Sequence, residues 1–221
     1  MKSILSLAFT LLLFSCGNGN TKTSATKTAN LNAEPVEVPL QDNMAKAYFA
    51  SGCFWCVEAI YESVNGVQEV ISGYSGGHTE NPTYEASNTG TTGHAEAVEV
   101  IYDPEVVSFE TLVKVYYGSQ NPTQANGQGP DNGSQYRSII FFQNDEQKAT
   151  IEKVSAEVAK DYDQPLAAEV VPFQKFWIAE DYHQNYERLH PEQPYIRGVS
   201  VPRLNKFKKK FPELLKSKTH S

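Results

Sequence analysis

Two thiols stand three residues apart in Ser51-Gly52-Cys53-Phe54-Trp55-Cys56-Val57-Glu58, with two large aromatic side chains between them. A thiolate is a strong nucleophile, so the chemistry of such a pair is set by where the chain places it. Lys46 to Ala50, just before, reads as a short strand. Phe54, Val57, Tyr61 and Val64, just after, have helical spacing. Cys53 therefore falls at the first turn of a helix. Free backbone N–H groups and the positive end of the helix dipole favour a thiolate there, so the expectation is a Cys53 pKa lowered from about 8.5 toward or below neutral. The alternative for a cysteine, a small buried hydrophobe, fits a lone residue better than two at this spacing beside an exposed turn.

Other side chains suit proton transfer. His94 to Tyr102 reads as a strand stopped by Asp103-Pro104, and alternate strand residues share a face. Glu96 shares its face with Val98, Val100 and Tyr102. On a buried face its carboxyl keeps a proton near neutral pH and serves as a general acid; at the strand end it points instead to solvent, and the pattern allows both. Tyr84 and Tyr136 each follow a polar, Gly-rich turn, where a phenol donates to a substrate oxygen or is an ordinary half-buried aromatic. Asp131, in Gly129-Pro130-Asp131-Asn132-Gly133, has the setting of a turn former. Of Phe54 and Trp55, one faces the core and the other lines a pocket suited to an apolar or sulfur-bearing group. The Cys pair has no second pair to complete a zinc site, and His183 and His190 lack finger spacing. No phosphate loop or dinucleotide fingerprint is present.

The elements that position these residues alternate along one domain, residues 44–215. Val67 to Tyr74 reads as a strand, followed by a turn-rich segment to Gly93. Ser108 caps a helix carrying Phe109, Leu112, Val113, Tyr116 and Tyr117. Gly118 to Gln135 is a long loop of the kind that is often functional. Tyr136 to Phe142 is an apolar strand, Asn144 caps a helix with Ile151, Val154 and Val158 on one face, and Ala167 to Val171 is a further strand. One short helix is expected around Tyr182 to Leu189. Strands separated by helices indicate a layered α/β or α+β domain.

The ends carry different information. Lys2 and the apolar stretch from Ile4 to Phe14 resemble an export signal too short to span a bilayer, and Leu13-Phe14-Ser15-Cys16-Gly17 resembles a lipobox. The expectation is a signal peptide over residues 1–15, lipidation at Cys16 and a flexible tether over 16–43 rich in Thr, Asn, Ala, Ser and Lys. This predicts an exported bacterial lipoprotein of the cell envelope, facing the periplasm or cell surface, with no membrane contact beyond the lipid. With Cys16 so used, Cys53 and Cys56 remain as one pair of the three cysteines. The formal net charge of −7 over 221 residues argues against nucleic-acid binding. The short basic run at Lys206, Lys208, Lys209 and Lys210 reads as a solvated helix face.

Gly52-Cys53-Phe54-Trp55, Gly73-Tyr74-Ser75-Gly76-Gly77, Asn81-Pro82-Thr83-Tyr84, Thr92-Gly93-His94-Ala95-Glu96-Ala97-Val98, Tyr102-Asp103-Pro104, Gln135-Tyr136-Arg137-Ser138 and Ala179-Glu180-Asp181-Tyr182-His183-Gln184 occur in order. Together they resemble the A-type peptide methionine sulfoxide reductases from about Tyr48 to Phe207. The resemblance implies a ferredoxin-like α+β core, a sheet flanked by helices in a single domain. It implies Cys53 as nucleophile, Phe54 and Trp55 around the substrate methyl group, Glu96 as the acid, and Tyr84, Tyr136 and Asp131 as the polar pocket. It also implies turnover of the S epimer of methionine sulfoxide, free or in proteins, recycling by a thioredoxin-like dithiol, no metal or organic cofactor, and action as a monomer. Many members place the recycling thiol near the C-terminus; no Cys follows Cys56 here, so Cys56 takes that role, as in members with Cys-Phe-Trp-Cys. Where members often read His-Asp-Pro-Thr, this chain has Gln120-Asn121-Pro122-Thr123, which leaves no histidine to act there. The rival readings are a thioredoxin-like disulfide oxidoreductase, with no task for Glu96, and a lipid-anchored binding protein with a structural Cys pair.

Overall fold

A computed structural model describes residues 33–217. The signal segment 1–15, Cys16 and the tether up to residue 32 lie outside the described residues. The first strand, β1 (Ala45–Ala50), enters the middle of the domain and ends at Ser51-Gly52. Gly52 has φ +76°, and a Cβ there would lie 2.6 Å from Gln128 Cβ, so the turn needs glycine on both counts. The chain then enters α1 (Phe54–Glu62) with Cys53 as its N-cap.

Strand β2 (Val67–Ser75) follows, then a five-residue helix α2 (Tyr84–Asn88), strand β3 (Ala95–Tyr102) and helix α3 (Phe109–Gly118). A small hairpin, β4 (Gly127–Gln128) and β5 (Asp131–Asn132), interrupts the long loop. Strand β6 (Ile139–Phe142), helix α4 (Asp145–Val158), and strands β7 (Glu169–Pro172) and β8 (Phe176–Ile178) complete the sheet. The last part holds α5 (Tyr186–Leu189), a π-turn over Ile196–Ser200 and α6 (Val201–Lys210).

The six strands pair in the order β7-β6-β1-β3-β2-β8. Every pairing is antiparallel except β6 with β7. Alternation splits the sheet into two faces. Ala47, Phe49, Val98, Val100 and Ile140 meet Val57, Ile60 and Tyr61 of α1, Leu112, Val113 and Tyr116 of α3, and Ile151 and Val154 of α4. Phe49 lies 5.0 Å from the Tyr61 ring and 5.8 Å from the Tyr116 ring. Burying each such side chain contributes about 2–3 kcal/mol. The other face, with Tyr48, Ala50, Ala97, Ile139 and Phe141, is covered by Phe173, Phe176 and Val38. Val36 N donates to Phe173 O (2.8 Å) and Val38 N to Gln143 Oε1 (2.8 Å), so the chain lies along the domain before β1 begins.

The structure is a mixed α+β domain with a six-stranded sheet flanked by helices, as the element pattern indicated. Ser108 and Asn144 cap their helices as expected, accepting from Thr111 N (3.1 Å) and Gln147 N (2.9 Å). Three local expectations need correction. The turn-rich segment after β2 contains α2, capped by Thr83. The apolar strand begins at Ile139, because Ser134–Tyr136 forms a 3-10 turn. The helix expected over 182–189 breaks at Asn185, whose φ of 57° is left-handed. The basic run Lys206 to Lys210, read as a helix face, lies on α6.

Candidate active site

The turn between β1 and α1 brings Cys53 and Cys56 together, and both are free thiols. Cys56 N and Val57 N donate to Cys53 O, which starts the helix on Cys53 itself. Cys53 is only 6 % exposed. Burial therefore pushes its thiol pKa up, and hydrogen bonding to Cys56 adds to the rise; the Trp55 backbone N–H opposes both. The helix-terminus effect expected at this position is present but loses to desolvation. Cys56 moves the other way, held down by the hydrogen bond from Cys53 and by the Arg203 guanidinium. Cys53 therefore rests as a thiol, which corrects the expectation of a thiolate there.

Glu96 lies on the face of β3 beneath α1 and is 2 % exposed. Its Oε2 accepts from Phe54 N at 3.0 Å, one of the free N–H groups of the first turn. Burial drives its pKa up to about 8, so at neutral pH it holds a proton that it can give. The buried-face reading is the correct one. Tyr84, at the start of α2, and Tyr136, at the end of the 3-10 turn, bring their hydroxyls together beside Glu96 and Cys53. Burial raises both phenols, so both remain donors.

Phe54 and Trp55 divide as expected. Phe54 is buried, with its ring 5.9 Å from Tyr74, 6.4 Å from Tyr84 and 4.9 Å from His183. Trp55 is half-buried and stacks on Tyr186 at 3.8 Å. Asp131, on β5, is more than a turn former. Its carboxylate faces the Cys53 backbone N–H and accepts from Tyr195 Oη at 2.5 Å. Burial holds its pKa above the ordinary value. Cys53, Cys56, Glu96, Phe54, Trp55, Tyr84, Tyr136 and Asp131 thus converge on one end of α1; Cys16 lies outside the described residues.

A sequence profile described as peptide methionine sulfoxide reductase matches residues 45–215. The chain belongs to this family. It is 47% identical over 171 residues to the peptide methionine sulfoxide reductase MsrA of Pasteurella multocida, covering 77% of this chain and 98% of that one. It is 46% identical over 170 residues to the MsrA of Thermus thermophilus, with 77% and 97% covered. Among solved structures, methionine sulfoxide reductase A of Corynebacterium diphtheriae aligns with a TM-score of 0.61 at 33% identity, over 73% of this chain and 84% of that one. Mxr1 of Saccharomyces cerevisiae in reduced form aligns at 0.66 and 28% identity, with 74% and 94% covered. Peptide methionine sulfoxide reductases are oxidoreductases.

Several supports of this reductase site were not assigned from sequence. Trp55 Nε1 donates to His183 Nδ1 at 3.1 Å. Glu180 accepts from Tyr84 N (2.9 Å) and from Tyr74 Oη (2.9 Å). Both belong to the 179–184 run, whose recurrence marked it but whose contacts lie far away in sequence. Arg203, on α6, donates to Ser51 O (3.0 Å), Ser51 Oγ (2.9 Å) and Ser119 O (2.9 Å), fixing the turn before Cys53. Gln120, where many members have histidine, takes part in the same turn. Its Oε1 accepts from Ser51 Oγ (2.7 Å), Ser138 Oγ (3.0 Å) and Gln128 Nε2 (3.1 Å).

Proposed function

We propose that the chain reduces the S epimer of methionine sulfoxide, free or in proteins, through a Cys53 sulfenic acid that Cys56 resolves. The observation that carries this reading is the buried, proton-holding Glu96 bonded to the first turn of the helix that Cys53 caps. The sulfoxide methyl lies against Phe54 and Trp55, and its oxygen faces Glu96, Tyr84 and Tyr136. Asp131 completes the polar side of the pocket.

Cys53 sulfur bonds to the sulfoxide sulfur as the oxygen takes one proton from Glu96 and the thiol proton. The S–O bond breaks and water leaves. Water then adds to the Cys53 sulfur as methionine departs, and the proton released returns to Glu96. Cys53 is left as sulfenic acid. Cys56 attacks it, forming the disulfide and a second water; an i, i+3 pair at a helix start needs little movement for that bond. A thioredoxin-like dithiol then reduces the disulfide by exchange. Cys56 borders a cleft of about 730 Å³ that also meets Gln120, Gln128, Asp131 and Arg203. This cleft suits approach of the reductant. The scheme uses no metal or organic cofactor.

The domain carrying this chemistry, residues 44–215, is read as a monomer with a ferredoxin-like core built on β1-α1-β2-β3-α3-β6. The anchoring reading is a proposal of the same kind: an exported lipoprotein acylated on Cys16 after loss of residues 1–15. Mass spectrometry of the mature N-terminus tests it, and an unmodified Cys16 refutes it.

The reaction itself is tested with both epimers of a blocked methionine sulfoxide and dithiothreitol. Wild type reduces one epimer, Cys53→Ser none, and Cys56→Ser completes a first turnover but fails with thioredoxin. Equal turnover of both epimers, or activity in Cys53→Ser, overturns the reading.

A further inference from the structure

The resolving step needs a group that removes the Cys56 proton, and the substrate side of the pocket offers none. Glu96 is already occupied with oxygen. In the resting pair the hydrogen bond from Cys53 is what chiefly holds Cys56 down. That support is lost when Cys53 becomes oxidised.

Two other polar side chains meet the Cys56 sulfur, Ser200 and Tyr195, and Tyr195 Oη stands 3.7 Å from Cys56 Sγ. The same hydroxyl donates to Asp131 Oδ2 at 2.5 Å. A phenol has a single hydrogen. With that hydrogen committed to the carboxylate, the phenol oxygen faces the thiol as an acceptor. Once Cys53 is oxidised and its hydrogen bond to Cys56 is gone, the order open to the pair is Cys56 S–H to Tyr195 oxygen and Tyr195 O–H to Asp131. The ring is held in place by an edge contact on Trp55, 6.1 Å between centroids at 76°. The next residue, Ile196, is buried, and its N–H donates to Gln193 Oε1 at 3.0 Å.

We propose that Tyr195 is a catalytic residue of the resolving step, relaying the Cys56 proton to Asp131. This rests on the reading of the function given above. As Cys56 sulfur attacks Cys53 sulfur, the Cys56 S–H bond breaks and its proton passes to the Tyr195 oxygen. Tyr195 gives its own proton to Asp131. The S–S bond forms and the Cys53 S–O bond breaks. The departing hydroxide takes a proton from Glu96 and leaves as water. Asp131 then returns its proton through solvent to Glu96, so the sum is sulfenic acid plus thiol going to disulfide plus water. Asp131 thereby serves both half-reactions, lining the pocket in the first and receiving the proton in the second.

The test compares two rates in Tyr195→Phe, which keeps the ring and removes only the hydroxyl. Reduced enzyme is mixed with the blocked S-sulfoxide without reductant. Methionine release is followed by quenched flow, and disulfide formation by loss of titratable thiols, with dimedone trapping of sulfenic acid. The expected result is that Tyr195→Phe slows disulfide formation about tenfold or more relative to methionine release, within the range of a lost proton-transfer group. Dimedone-labelled Cys53 accumulates in the variant and not in wild type. Equal slowing of both steps, or disulfide formation at the wild-type rate, overturns the relay. A wild type that releases no methionine overturns the functional reading instead, so the two failures are told apart.

Discussion

Glu96 shows how a single carboxyl links activity and stability. In the proposed scheme its proton is the reagent, so kcat/KM of wild type is expected to fall as pH rises through about 8, where the carboxyl ionises. A pH–rate profile flat to pH 10 contradicts this. Glu96→Gln keeps an oxygen for Phe54 N–H but has no proton to transfer, and a loss of about 10²–10⁴ in kcat is expected. The same variant should be more stable than wild type at high pH. The native carboxyl keeps its proton up to about pH 8, whereas the unfolded chain ionises from about 4.5. Wild-type stability therefore declines across that window as pH rises, and Glu96→Gln escapes the decline. The difference grows from near zero at pH 4 to on the order of 4 kcal/mol at pH 8. Urea unfolding of both proteins at the two pH values measures it. The sequence placed Glu96 on the correct strand and face, but only burial beneath α1 decides whether it holds a proton.

The elements around the site were legible where their logic is local. β1, α1, α3 and α4 follow from apolar spacing and from Ser108 and Asn144 as caps, and each appears with boundaries close to those read. Beyond β7 the chain was less legible, because its side chains answer to distant partners. His183 lies in a 3-10 turn (Asp181–His183) and meets Trp55, 128 positions away. Its role is specific. The indole N–H only donates, so His183 Nδ1 must be unprotonated to receive it. His183 is itself buried, and that burial lowers its pKa and keeps it neutral. Asparagine retains an oxygen acceptor and leucine does not. His183→Leu is expected to raise KM several-fold with a smaller effect on kcat, and His183→Asn to recover much of the loss. Equal effects from both variants would mean that the ring packs but does not hold the indole. The turn before α1 makes a similar demand on the backbone. Gly52→Ala must hold a positive φ and displace Gln128, at about 1–3 kcal/mol. A lowered thermal midpoint with slower turnover is the expected reading.

At the scale of the molecule, the sheet separates two neighbourhoods. All of the chemistry lies on the helix-bearing face, between α1, the β4–β5 hairpin and the C-terminal segment. The opposite face is closed by Phe173, Phe176 and the stretch ahead of β1, where Val36 and Val38 hydrogen-bond to the domain. Composition alone assigned that stretch to the tether, because backbone bonds to Phe173 and Gln143 leave no mark in residue type. The line of approach of the chain is thereby fixed. For a protein moored through its N-terminus, the mooring line reaches the domain on its back, and the thickness of the sheet stands between the membrane and the thiols. If the proposed anchor at Cys16 holds, the site is expected to look outward, toward oxidised proteins in solution rather than toward the lipid. Shortening the line therefore costs little access: on vesicles, removal of ten residues between Asn18 and Ala33 is expected to leave turnover of a soluble oxidised protein within about twofold. A collapse of activity on shortening would mean that the site faces the bilayer after all.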